Sequence, residues 1–129
     1  PYYTTIGAVR AAETRAKAKA LKADKATYAK VMPTLEDILE IHERNRSAYF
    51  RNPPSNARGR RAYDEANSLS VTFTIQGSAN VPVTYDIEAS CTCSCKNIYY
   101  RLNVMVNGEK KNVTAIRRLL REGLMGVYT

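Results

Sequence analysis

Apolar and polar residues alternate with period two over three stretches of the chain. Leu69, Val71, Phe73 and Ile75 alternate with Ser70, Thr72, Thr74 and Gln76. Val81, Val83, Tyr85, Ile87 and Ala89 form a second such series, and Ile98, Tyr100, Leu102, Val104 and Val106 a third. Successive side chains of a strand point to opposite faces, so each stretch predicts a strand with one buried and one wet face. Gly77-Ser78-Ala79-Asn80 supplies a turn between the first two, and Asn107-Gly108 is a hairpin signal after the third. A short return strand through Lys110–Val113 fits the residues beyond that hairpin turn. Pro82 cannot donate to a ladder, which puts the start of the second strand at a sheet edge.

Helical spacing brackets this region. Residues 8–32 are rich in alanine and free of Gly and Pro, and Pro33 closes the run. The basic residues there leave only a narrow stripe of Val9, Ala16, Ala20, Ala23, Thr27 and Val31, too small to bury much area. This helix is expected to project from the body or be held by a partner, with a solvated helix on the domain's own sheet as the alternative. Residues 34–46 predict a second helix, capped by Thr34 with Asp37 three residues on. Leu35, Ile38, Leu39 and His42 form its apolar face. Residues 47–61, SAYFRNPPSNARGRR, read as a loop because of Pro53-Pro54 and Gly59, with a short helix through Ala62–Asn67 after it. Near the end, Ala115, Ile116, Leu119 and Leu120 share one helical face, Gly123 stops the helix, and an apolar tail runs to Tyr128.

The order predicts an α+β fold: two N-terminal helices, a three-stranded antiparallel meander and a C-terminal helix. Residues 1–33 are expected to be a basic helical arm and 34–129 a single α+β domain. A chain of 129 residues suits one domain and buries a real core.

Charge changes the picture. Twenty Lys and Arg face twelve Asp and Glu, giving +8 and a pI near 9.6. Such a surplus favours nucleic acid, an anionic membrane surface or an acidic protein partner. The basic residues fall in three clusters, 10–30, 44–61 and 96–121, with none between Arg61 and Lys96. Glu36, Asp37, Glu40 and Glu43 separate the first two, so basic and acidic surfaces could also pair head to tail.

The middle cluster carries the sharpest chemistry. Arg44, Arg46, Arg51, Arg58, Arg60 and Arg61 are interleaved with Tyr49, Phe50 and Tyr63. Arginine grips phosphate bidentately and stacks on bases, and aromatic rings add stacking planes, which suits single-stranded nucleic acid or RNA. Pairing of this loop with the acidic helix, or with an acidic patch of another subunit, is the competing reading. Lys17, Lys19 and Lys22 offer sequence-independent phosphate contacts on the first helix, and Arg117, Arg118 and Arg121 a third basic face. The first helix lacks the Trp, Phe and Leu face of a membrane-surface helix, and no stretch approaches a membrane span.

Cys91, Cys93 and Cys95 alternate, so they share a strand face and continue that of Val81–Ala89. Zinc asks for four ligands and the only histidine is His42, so these read as small buried thiols, with no metal or cofactor expected. Their odd number points to a reducing compartment, hence the cytoplasm or a virus particle assembled there. The opening PYYTTIGAVR lacks the regions of a secretory signal, and Pro1 suits loss of an initiator Met or an earlier cut. Catalysis finds little support: His42 has no nucleophile beside it, Asp86 and Glu88 read as solvated, and no phosphate loop is present.

The helix–strands–helix order and the run YRLNVMVNGEKK, Tyr100–Lys111, resemble the middle strand and turn of double-stranded RNA-binding domains. The resemblance covers about a dozen residues. The Lys-rich start of the last helix that grips phosphate in that family is missing here, and too little chain remains after Lys111 for both a third strand and a full helix. It is therefore not adopted. The expectation is a non-enzymatic nucleic-acid-binding protein. The alternatives are a structural subunit of a large assembly such as a viral particle, a homo-oligomer included, or a small regulator of a host enzyme.

Overall fold

The structure is a computed structural model, and it describes residues 6–47, 53–77, 81–94 and 96–126. The first surprise is helical. A single helix, α1, runs from Ile6 to Ser47 straight through Pro33, where two helices were expected. Proline lacks an N–H, so the Ala29 carbonyl loses its intrahelical donor. Both residues are exposed, and water is at hand to take up that carbonyl. The buried positions Asp24, Tyr28, Val31, Leu35, Ile38 and Ile41 run across Pro33 without a break. An interior proline costs about 3 kcal/mol, and each buried Leu or Ile stabilises by about 1.5–3 kcal/mol. A bend at 33 would throw Leu35, Ile38 and Ile41 off the line set by Tyr28 and Val31. Keeping that line outweighs the proline.

A second correction concerns the arginine loop. Helix α2 spans Ala57–Ala66, five residues earlier than the sequence suggested. Asn56 caps it, its Oδ1 accepting the Gly59 N–H at 2.6 Å. Gly59 fits because an added Cβ would meet Asn56 Oδ1 and Pro54 Cβ at 3.0 Å.

The sheet holds four antiparallel strands in the order β1 (Leu69–Ile75), β2 (Val83–Cys93), β3 (Ile98–Val106) and β4 (Glu109–Lys111). The fourth adds to the three-stranded meander and is the short return strand raised from the sequence, at Glu109–Lys111 rather than Lys110–Val113. It forms because Asn107 and Gly108 both take positive φ, 50° and 78°, the geometry of a tight hairpin turn. Pro82 does not mark an edge strand. It precedes the first paired residue, Val83, and β2 lies inside the sheet between β1 and β3.

The alternating pattern settles the faces. Phe73, Ile75, Ile87, Ala89 and Val104 point into a core closed by α1 and by Ile116 and Leu119 of α3 (Val113–Glu122). Phe73 and Tyr85 stack there with ring centroids 5.0 Å apart. The opposite face is wet, with Thr72, Asp86, Glu88, Tyr99 and Arg101 exposed. Asn112 caps α3, and Gly123 ends it at φ 56°. No helix among the described residues is long and apolar enough to cross a membrane.

Candidate nucleic-acid interface

From Val9 to Lys19 every side chain of α1 is exposed, and the first fully buried one is Asp24. That is about three helical turns with nothing among the described residues packed against them. Arg10, Arg15, Lys17, Lys19, Lys22, Lys25 and Lys30 are all exposed, and no ion pair among the described residues engages them.

The arginines of the middle cluster divide into two kinds. Arg44 donates to Asn67 Oδ1 at 2.9 Å and to the Ala66 carbonyl at 3.4 Å, fastening the end of α2. Arg60 donates to the Pro54 carbonyl at 3.4 Å and is half-buried. Arg46, Arg58 and Arg61 are exposed and meet no carboxylate among the described residues. Tyr49, Phe50 and Arg51 lie outside the described residues, so the aromatic half of this cluster has no placement here. Tyr63 is turned inward, its hydroxyl bonded to that of Tyr100.

The third cluster is largely occupied. Arg117 pairs with Glu43 of α1, while Arg118 and Arg121 approach Glu122 at 3.9 and 3.5 Å. These pairs are exposed, and exposed pairs hold by less than about 1 kcal/mol. Between α3 and the β3–β4 hairpin lies a hollow of about 780 Å³, lined by Tyr85 and Leu119 and by Lys110, Lys111 and Arg118.

Arg101 belongs to the third basic cluster but was not singled out as a contact from the sequence. It lines a hollow of about 210 Å³ with Arg46, His42, Asn45 and Tyr100. On the wet face it also lies beside Ser90, Thr92 and Tyr99, and Tyr99 is 54 % exposed. The polar phase of β3 carried this signal, because Tyr99 and Arg101 occupy the alternate positions.

A separate cluster sits under α2. Cys91 is buried and Cys93 half-buried on the core-side face of β2, as the alternation predicted. Asp64 of α2 joins them, with one ligand-capable atom of each residue within 4.8 Å of the others. Cys95 lies outside the described residues. Burial first, then Cys93 and the Asp64 carboxylate, push the Cys91 thiol up to about 12. Burial and Asp64 likewise raise Cys93, with a hydrogen bond from Cys91 and then Arg60 opposing.

No family model, no curated protein and no solved structure matches the chain.

Proposed function

We propose that this protein binds nucleic acid without catalysing a reaction on it. The contacts run to phosphate, through the lysines and arginines of α1 and the exposed arginines Arg46, Arg58 and Arg61. One observation carries the reading. The basic side chains of α1 from Arg10 to Lys30 face solvent, and no carboxylate among the described residues pairs with them, although the chain holds twelve. Concentrated, unpaired Lys and Arg is what counterion release from a phosphate backbone rewards. Tyr99 beside Arg101 adds an exposed ring and guanidinium on an open sheet face, which suits unstacked bases and favours single strands or RNA over duplex. Action in the cytoplasm, or in a particle assembled there, goes with this proposal.

The test is fluorescence anisotropy with labelled single-stranded RNA, single-stranded DNA and duplex over a salt series. The expected result is a steep linear fall of log affinity with log salt, with single strands bound most tightly. Absence of binding at low salt, or affinity indifferent to salt, overturns it.

A second reading has its own observation. An isolated helix shorter than about 12–15 residues is marginal in water, yet the outer turns of α1 have no packing partner among the described residues. A structural subunit whose α1 docks on another copy would supply one. Light scattering at high salt separates the two: a defined oligomer supports the subunit, a monomer the nucleic-acid reading.

A further inference from the structure

The geometry points to a divalent metal site of the zinc class, held by Cys91, Cys93 and Asp64. Three independent features converge on it. The first is the donor set. Two thiols and a carboxylate come together from β2 and α2, with their ligand atoms within 4.8 Å of one another. Tetrahedral zinc with Zn–S bonds near 2.3 Å holds its sulfurs about 3.8 Å apart, and small side-chain rotations close the difference. Thiolate with carboxylate suits zinc better than magnesium or calcium, which take oxygen alone.

The second feature is an orphaned atom. Asp64 Oδ1 is sealed from solvent, and no hydrogen bond of ordinary geometry reaches it among the described residues. The weak S–H donors of the two cysteines stand beside the carboxylate instead. As buried thiols, Cys91 and Cys93 offer the Asp64 carboxylate only their weak S–H donors. A cation gives it a partner.

The third feature is support. Helix α2 is tied to the rest of the fold on both sides of Asp64. The Tyr63 hydroxyl bonds to that of Tyr100 on β3, and Arg44 of α1 donates to Asn67 just past the helix end. Cys91 is fixed in turn by its own N–H, which donates to Ser68 Oγ at 3.0 Å. The ligands therefore come from elements already locked together, which metal sites require.

The balance of charge is sound. Binding exchanges the two thiol protons, released to solvent, for one M²⁺ and leaves the three ligands and the metal with a net charge of −1. Arg60, which acts on Cys93, offsets it. Three protein ligands leave the fourth tetrahedral position to water.

The experiment titrates the metal-free full chain, kept reduced, with Co²⁺ and then with Zn²⁺. The expected result is one Co²⁺ per chain with thiolate-to-cobalt charge-transfer bands and the visible spectrum of a tetrahedral site. Zn²⁺ then bleaches those bands and raises the melting temperature. Asp64→Asn and Cys93→Ser should each weaken Co²⁺ binding by more than about tenfold. Asp64→Asn tests the site because it keeps the shape and removes the charge. Should that variant lose its circular dichroism, Cys93→Ser at the half-exposed position gives the same readout. Absence of charge-transfer bands in the wild type overturns the proposal. So do bands whose strength is unchanged by either substitution, which would place the metal elsewhere.

Discussion

Asp24 Oδ2 accepts the backbone N–H of Gly77 at 3.0 Å, across 53 residues of sequence. Its Oδ1 accepts the N–H of Gln76 at 2.8 Å, so one carboxylate, 1 % exposed, clamps the end of β1 to α1. Asp24→Ala strands these donors. Hydrogen bonds to charged groups are each worth about 1.5–3 kcal/mol, and helix propensity favours alanine slightly. The expected loss is about 2–3 kcal/mol, read as a lower urea midpoint at constant slope. A loss below about 1 kcal/mol would mean that the clamp contributes little.

Pro33 offers the opposite experiment. It is exposed, inside a helix, and deprives Ala29 of a donor. Pro33→Ala should restore the bond and raise stability by about 1–3 kcal/mol. A lower melting temperature in the variant would show that the chain needs a break at this point, and the continuous α1 would be wrong.

Alkaline pH should unfold the protein through two groups. Burial first, then Tyr85 and Asp24, raise Tyr28 from its ordinary value near 10 to about 12. Cys91 rises from about 9 to about 12. In both, the fold favours the protonated form. Their contribution is therefore complete below the ordinary values and is lost as pH climbs through the folded ones. The melting temperature of the metal-free protein should fall from about pH 9 to about pH 12. Tyr28→Phe gives up only a long bond to the Gly123 carbonyl, 3.4 Å, and should flatten the upper part of that fall. An unchanged alkaline profile in Tyr28→Phe would discount the tyrosine.

The basic clusters should not weigh equally. Lys17/Lys19/Lys22→Ala removes exposed charges that no carboxylate among the described residues pairs with, and each phosphate deprived of its lysine lowers the salt slope by about 1. Arg117/Arg118/Arg121→Ala removes groups already engaged by Glu43 and Glu122, so its effect should be smaller. If the α3 triple outweighs the α1 triple in binding assays, the assignment of the principal contacts to α1 fails.

How far the sequence foretold this molecule depends on the range of the interaction. The strands were legible because a period of two needs only neighbours: Leu69–Ile75 and Ile98–Val106 alternate, and the fold uses both phases. The end of α3 at Gly123 was legible for the same reason. Pro33 misled, because its local cost is real while the benefit lies on a sheet about 40 residues away, where Phe73 and Ile75 receive Leu35 and Ile38. Asp24 escaped notice, since a carboxylate among lysines reads as solvated until the Gln76 and Gly77 N–H groups are seen to face it. Asp64 escaped for a like reason. Nothing near it in the chain binds metal, and only the packing of α2 on β2 brings it to Cys91 and Cys93.

The continuity of α1 has a mechanical consequence. From Arg10 to Ile38 the helix covers roughly 40 Å at 1.5 Å per residue, a stiff rod with one end in solvent and the other set in the hydrophobic interior. A load applied at the lysines is therefore delivered to Leu35 and Ile38 by leverage, with no slack linker to absorb it. The one missing rung of the rod, at Pro33, lies on the side away from the sheet, where flexing disturbs the interior least.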